Sequence, residues 1–143
     1  HKFYAKTKEI IVQKDINNAT KEELMAIYGI GDKISDIILQ EKDKFGAFLS
    51  MDQLEYVWGV SPEALSDLKK RFFVKPEVQI KKININNSST KELSKFPYFK
   101  YALAKEIVTY RSMNGDFKSI DDLTKIKGMP NEKLKIIDLY LEF

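Results

Sequence analysis

Side chains able to do covalent or acid–base chemistry are scarce in this chain. Its 143 residues include no cysteine and one histidine, His1 at the very start. Disulfides, thiol nucleophiles, cysteine-ligated zinc and nearly all histidine general-base schemes are therefore excluded. Asp121 and Asp122 form an adjacent acid pair, but their place near an expected helix start explains them as caps and partners of the helix dipole. What remains is backbone chemistry. Gly29-Ile30-Gly31 stands between two amphipathic segments. A glycine there permits positive φ and close approach, and the following helix presents unpaired N–H groups at the positive end of its dipole. Such a corner seats a phosphate oxygen. A contact of this kind reads no base, so it is independent of sequence.

The elements that hold this corner are repeated. Shifting the chain by 69 positions aligns two halves without a gap: Ile16-Asn17-Asn18 meets Ile85-Asn86-Asn87, Glu23-Leu24 meets Glu92-Leu93, and Gly46-x-Phe48 meets Gly115-x-Phe117. With Ile38/Ile107, Ser50/Ser119, Asp52/Asp121, Leu54/Leu123, Gly59/Gly128, Glu63/Glu132 and Leu65/Leu134, fourteen identities fall in the 53 positions from Ile16 to Leu68. Duplication is the reading. Each unit predicts four helical segments. Thr20 to Glu23 and Ser89 to Glu92 are capping boxes that start a short first helix. A longer second helix turns Ile34, Ile37, Ile38 and Phe45 inward and stops near Gly46. Ser50-Met51-Asp52-Gln53 and Ser119-Ile120-Asp121-Asp122 begin the third. Ser61-Pro62 starts the fourth with a cap and a proline at the first helical position, and Pro130-Asn131 does a similar job in the second unit. Glu9 to Val12 and Val78 to Ile85 read as extended connectors or short strands. The expected fold is all-α, with an extended segment over residues 1–12, a first unit over 13–75 and a second over 76–143. Units this small are expected to pack partly on each other.

Charge adds a modest lean. The net charge is +3, and residues 77–143 hold all of the excess, with 12 basic against 9 acidic residues, while residues 1–76 balance at 12 and 12. That favours anionic partners without the excess of a dedicated nucleic-acid binder. No apolar run approaches the roughly 18 residues of a membrane span, so no membrane contact is expected here. Because the chain begins with His1 and not Met, it is expected to be a piece of something longer.

Gly29-Ile30-Gly31, followed by Ser35, Ile38 and Lys42, resembles the helix-hairpin-helix signature, in which a Gly-hydrophobic-Gly turn joins two short helices. The continuation through Gly46, Phe48, Ser50, Asp52, Leu54, Val57 and Gly59-Val60 resembles the second hairpin of the paired unit in competence DNA-uptake proteins of the ComEA type. Ala104, Ile107, Arg111, Gly115, Phe117, Asp121, Asp122, Leu123, Ile126 and Gly128 follow the same pattern in the second unit. The resemblance implies two tandem helix-hairpin-helix pairs (a SAM-domain-like, ComEA-like arrangement) and non-catalytic, sequence-independent binding of double-stranded DNA. It also implies a membrane-anchored, extracytoplasmic parent acting in DNA uptake. No cofactor is expected beyond a monovalent cation held by hairpin carbonyls, as in some relatives.

Transferred to this chain, the phosphate-binding set is Gly29, Ile30, Gly31, Lys33, Lys42, Gly59, Ser61, Lys100, Lys105, Arg111 and Gly128. Ile30 doubles as a core plug, and the cations are otherwise a solvated helix face. The second corner has Ser61 for its second glycine, the third reads Tyr98-Phe99-Lys100, and the fourth puts Pro130, which has no N–H, where a donor belongs. Asp32 and Asp36 flank the intact corner and repel phosphate. Duplex binding is thus expected to be weak and salt-sensitive. A protein-interaction module that kept the fold and lost DNA affinity is the alternative. Tyr98, Phe99, Tyr101 and Tyr110 either stack on bases or fill a core, and Trp58 reads as core or rim.

Overall fold

The computed structural model describes residues 11–143, so most of the expected N-terminal extended segment, residues 1–10, lies outside the described residues. The architecture is mostly helical and is built twice. In the first unit β1 (Lys14–Asp15) leads through a 3₁₀ turn at Ile16–Asn18 into α1 (Lys21–Met25), α2 (Asp32–Phe45), a 3₁₀ segment at Met51–Tyr56, α3 (Pro62–Arg71) and β2 (Phe72–Phe73). In the second, β3 (Ile83–Asn84) leads to α4 (Thr90–Leu93), α5 (Tyr101–Asn114), a 3₁₀ segment at Ile120–Lys125, a 3₁₀ turn at Asn131–Lys133, α6 (Leu134–Tyr140) and β4 (Leu141–Glu142). Each unit is closed by a short parallel pairing of its first and last segments, Lys14 with Phe72 and Asp15 with Phe73, then Ile83 with Leu141 and Asn84 with Glu142.

Caps drive the local structure. The Thr20 hydroxyl accepts from Glu23 N–H at 3.1 Å while the Glu23 carboxylate accepts from Thr20 N–H at 2.9 Å, and Ser89 with Glu92 repeats the exchange. Ser61 Oγ accepts from Ala64 N–H at 3.1 Å and Pro62 opens α3. Two expectations change in detail. The third helix of each unit is a six-residue 3₁₀ segment, the form that suits a short connector. The last helix of the second unit starts late, at Leu134, because Pro130 offers no side-chain cap of the kind Ser61 supplies.

A clamp unnoticed in the sequence fixes both units. Asn17 donates through Nδ2 to the Phe48 carbonyl at 2.9 Å and accepts from Phe48 N–H at 2.7 Å. Asn86 does the same to Phe117 at 3.0 and 2.7 Å. The side-chain amide stands in for a backbone partner, tying the start of each unit to the segment after its long helix.

The two units share one apolar core, from Ile16 and Leu24 through Leu54 and Leu68 to Ile85, Leu93, Ile107 and Ile137. Phe45 is the joint. Its ring lies 5.5 Å from Phe96, 5.0 Å from Tyr98 and 5.2 Å from Tyr140, centroid to centroid. The buried Tyr140 hydroxyl donates across the joint to the Ala47 carbonyl at 2.6 Å, with Gln53 Oε1 3.0 Å away. Burial pushes this phenol up from near 10 to about 12, and it pushes the half-buried Tyr98 higher still.

Candidate nucleic-acid interface

The corner between α1 and α2 is built as its sequence suggests, with one refinement. Gly29 alone takes the left-handed conformation, at φ +92°. Gly31 is extended, φ −101° and ψ −163°, and serves as the N-cap of α2 with no side chain over the helix end. Ile30 is buried beneath the turn while Gly29, Gly31, Asp32 and Lys33 are exposed. The first amides of the fourteen-residue α2 thus have no side-chain cap, on residues of which the first two are exposed, and remain orphan donors.

The second corner stands beside the first. A Cβ placed on Gly29 would lie 3.8 Å from both Ser61 Oγ and Ala64 Cβ, and one on Gly59 would press to 2.9 Å from Ile34 Cγ1. Gly59 is also left-handed, at φ +89°. Gly29, Gly31, Lys33, Gly59 and Ser61 thus share one end of the first unit, and Lys33 Nζ sits 5.0 Å above the Trp58 ring. A residue the sequence reading passed over corrects the local charge: Lys21 bonds Asp32 at 2.6 Å and Asp36 at 2.9 Å. Those two carboxylates, Asp32 foremost, raise the lysine above its ordinary pKa. One lysine thus offsets part of the charge of the two acids flanking the intact corner, a pairing visible only once α1 lies against α2.

In the second unit Lys100 takes the position of Gly31. It caps α5 with extended backbone, φ −63° and ψ 162°, and again no side chain covers the helix end. Lys100 and Gly128 line one shallow cleft together with Lys127 and Glu106. Tyr98 and Phe99 are turned into the joint and the core, Phe99 fully buried. Tyr110 stacks on Phe117 with centroids 5.6 Å apart, and Tyr101 alone of that aromatic group is well exposed. At the fourth corner Pro130 precedes a 3₁₀ turn and not an α-helix.

The remaining cations stand elsewhere. Lys42 and Arg111 occupy the last turns of α2 and α5, roughly 15 Å along the helix from the corners. Lys42 Nζ donates to the Asn17 carbonyl at 3.3 Å and Arg111 to the Ile85 carbonyl at 3.0 Å, so each ties its long helix back to the turn that opens its unit. Lys105 is exposed on α5. Among the described residues no group of three or more His, Cys, Asp or Glu is placed to hold a metal ion, and no helix is long and apolar enough to cross a membrane.

Two paired hairpins in tandem, each with a short helix, a tight corner and a long helix, define a helix-hairpin-helix protein. The chain belongs to that family: the helix-hairpin-helix motif matches residues 10–73 and again 78–142. Motifs of this family in general bind DNA without sequence preference. The chain is similar to proteins called endonuclease/exonuclease/phosphatase family domain-containing protein 1. Identity is 29% over 137 residues in Danio rerio, 26% over 135 in Xenopus laevis and 23% over 143 in Homo sapiens. These matches cover 84%, 80% and 80% of this chain, but only about a quarter of each relative's length. No solved structure matches it.

Proposed function

We propose that this chain is a non-catalytic module that grips double-stranded DNA through backbone amides, independent of sequence. One observation carries the reading: the Gly29–Gly31 and Gly59–Ser61 corners lie side by side, with no side chain capping the N-terminal amides of α2. The contact set is Gly29, Gly31, Lys33, Gly59 and Ser61 in the first unit, with Lys100 and Gly128 as a second, more basic contact. Ile30 acts from beneath as the plug that holds the corner. Lys42 and Arg111 serve the scaffold in this reading, and Lys105 adds general positive field. The resemblance to competence DNA-uptake proteins supports the same mode of contact. In a longer protein like the curated relatives, whose name speaks of nuclease and phosphatase families, such a module would hold nucleic acid while other residues act on it.

The test is a titration of labelled duplex with the chain at several salt concentrations. If about three phosphates are neutralised, log K falls with log[salt] at a slope near −3. Absence of binding at the lowest salt overturns the reading. A protein-interaction module is the second reading, favoured by the third corner: Tyr98 already packs against Phe45 and Tyr56 of the other unit, so a turn of this chain does serve as a protein contact.

A further inference from the structure

Two large aromatic side chains flank the paired corners, and the core does not take them in. Tyr28 precedes Gly29 and is 94% exposed; Trp58 precedes Gly59 and is 66% exposed. Among the described residues Tyr28 has no hydrogen-bond or ring partner, and Trp58 has only the Lys33 ammonium over its ring. Rings left this far in solvent contribute little to the fold, since burial is the main contribution of an aromatic, and the Lys33–Trp58 contact adds at most about 1 kcal/mol. The second unit carries no such pair: its corresponding positions hold Pro97 and Lys127. Of the aromatics considered earlier for stacking, Tyr98 and Phe99 are committed to the joint and core and Tyr110 to Phe117, while Tyr101, exposed in the first turn of α5, stands alone among the described residues and precedes no glycine corner.

We infer that Tyr28 and Trp58 are base-stacking side chains, so that the first unit favours DNA with unpaired bases over continuous duplex. The inference rests on the amide-corner reading above and extends it to what lies beside the held phosphates. A strand seated on the corners at Gly29 and Gly59 brings its bases within reach of the residue immediately before each glycine. In a continuous duplex the base faces are covered by their neighbours, and a ring can enter only by unstacking a step. In a gap or a single strand the faces are free, and ring and base stack without that penalty. Lys33 above Trp58 adds a cation beside the same strand and orders the indole. One stacked base corresponds to a preference of about five- to 150-fold.

The experiment uses the 143-residue chain with two labelled DNAs of equal length, one continuous duplex and one with a short single-stranded gap, at one salt concentration. Trp58 is the only tryptophan, so intrinsic fluorescence reports on that ring alone. The expected result is at least fivefold tighter binding to gapped DNA, with quenching of Trp58, and a ratio near one in the Tyr28→Ala, Trp58→Ala variant. Both sites are exposed, and a thermal melt of the variant checks its fold. Equal affinity for the two DNAs overturns the inference and leaves duplex binding standing. A gap preference that survives the double substitution also overturns it. Failure to bind either DNA overturns the amide-corner reading, and this inference with it.

Discussion

Replacing Gly31 with aspartate should strengthen the fold and weaken DNA binding, and the opposite signs make this substitution the sharpest probe of the amide corner. Gly31 is the N-cap of α2, its backbone is extended, and a Cβ built on it meets nothing within 4 Å. Aspartate therefore fits without strain, and its carboxylate reaches the N–H groups two and three residues on, which glycine leaves bare. Relative to glycine the cap contributes a few tenths of a kcal/mol, and the added negative charge at the helix start contributes roughly as much again. Asp32 and Asp36 oppose this through repulsion, which Lys21, paired with both, partly offsets. The net expectation is about 0.5 kcal/mol of added stability, or a rise of roughly 1–2 °C in Tm for a domain of this size. The same carboxylate occupies the phosphate's seat. Losing one charge-assisted amide bond removes about 1.5–3 kcal/mol of binding, roughly 10- to 150-fold in Kd. Circular-dichroism melts and fluorescence anisotropy with a labelled duplex measure the two quantities. A variant that melts higher yet binds within twofold of the parent refutes the assignment of phosphate to these amides. One that loses more than about 1 kcal/mol of stability refutes the cap geometry itself.

Three further outcomes follow from other contacts. Asn86→Ala strips Phe117 of both partners and should destabilise the chain by about 2–3 kcal/mol, read from urea denaturation; a loss under 0.5 kcal/mol would show that water replaces the clamp. Lys21→Met exposes the charges of Asp32 and Asp36 beside the corner and should weaken duplex binding roughly threefold at low salt, with the difference vanishing at high salt. The Tyr140 phenol holds its proton to about 12 in the folded chain against near 10 when free. The folded state therefore binds more protons between those pH values, so its contribution is full below pH 10 and is lost as pH rises toward 12. Alkaline melts of Tyr140→Phe should fall less steeply across that window, by up to about 1.4 kcal/mol per pH unit, with Tyr98 accounting for slope that remains.

Much of each unit was legible in the sequence because its determinants are local. Thr20 with Glu23 and Ser89 with Glu92 announce helix starts through hydrogen bonds three residues long, and Gly29 announces a backbone turn that other residues resist. The repeat of these signals at a fixed spacing established the duplicated helical plan and the exposed corner. What the chain order could not display were pairings between distant segments. The Asn17 clamp spans 31 residues to Phe48. Lys21 meets Asp32 and Asp36 only across the α1–α2 turn. Lys42 and Arg111 bend back to carbonyls that open their units, although as sequence they look like any exposed cations. The joint is the clearest case. Phe45, Phe96, Tyr98 and Tyr140 stand where the other copy has Asn114, Ile27, Gly29 and Arg71, so the repeat itself says nothing of their joining. Packing two similar units makes a contact that neither contains alone, and these aromatics fill it. Capping and turn geometry are short-range and written along the chain; which departures from the repeat become core, and which rings are left in solvent, depends on what the folded surface places opposite them.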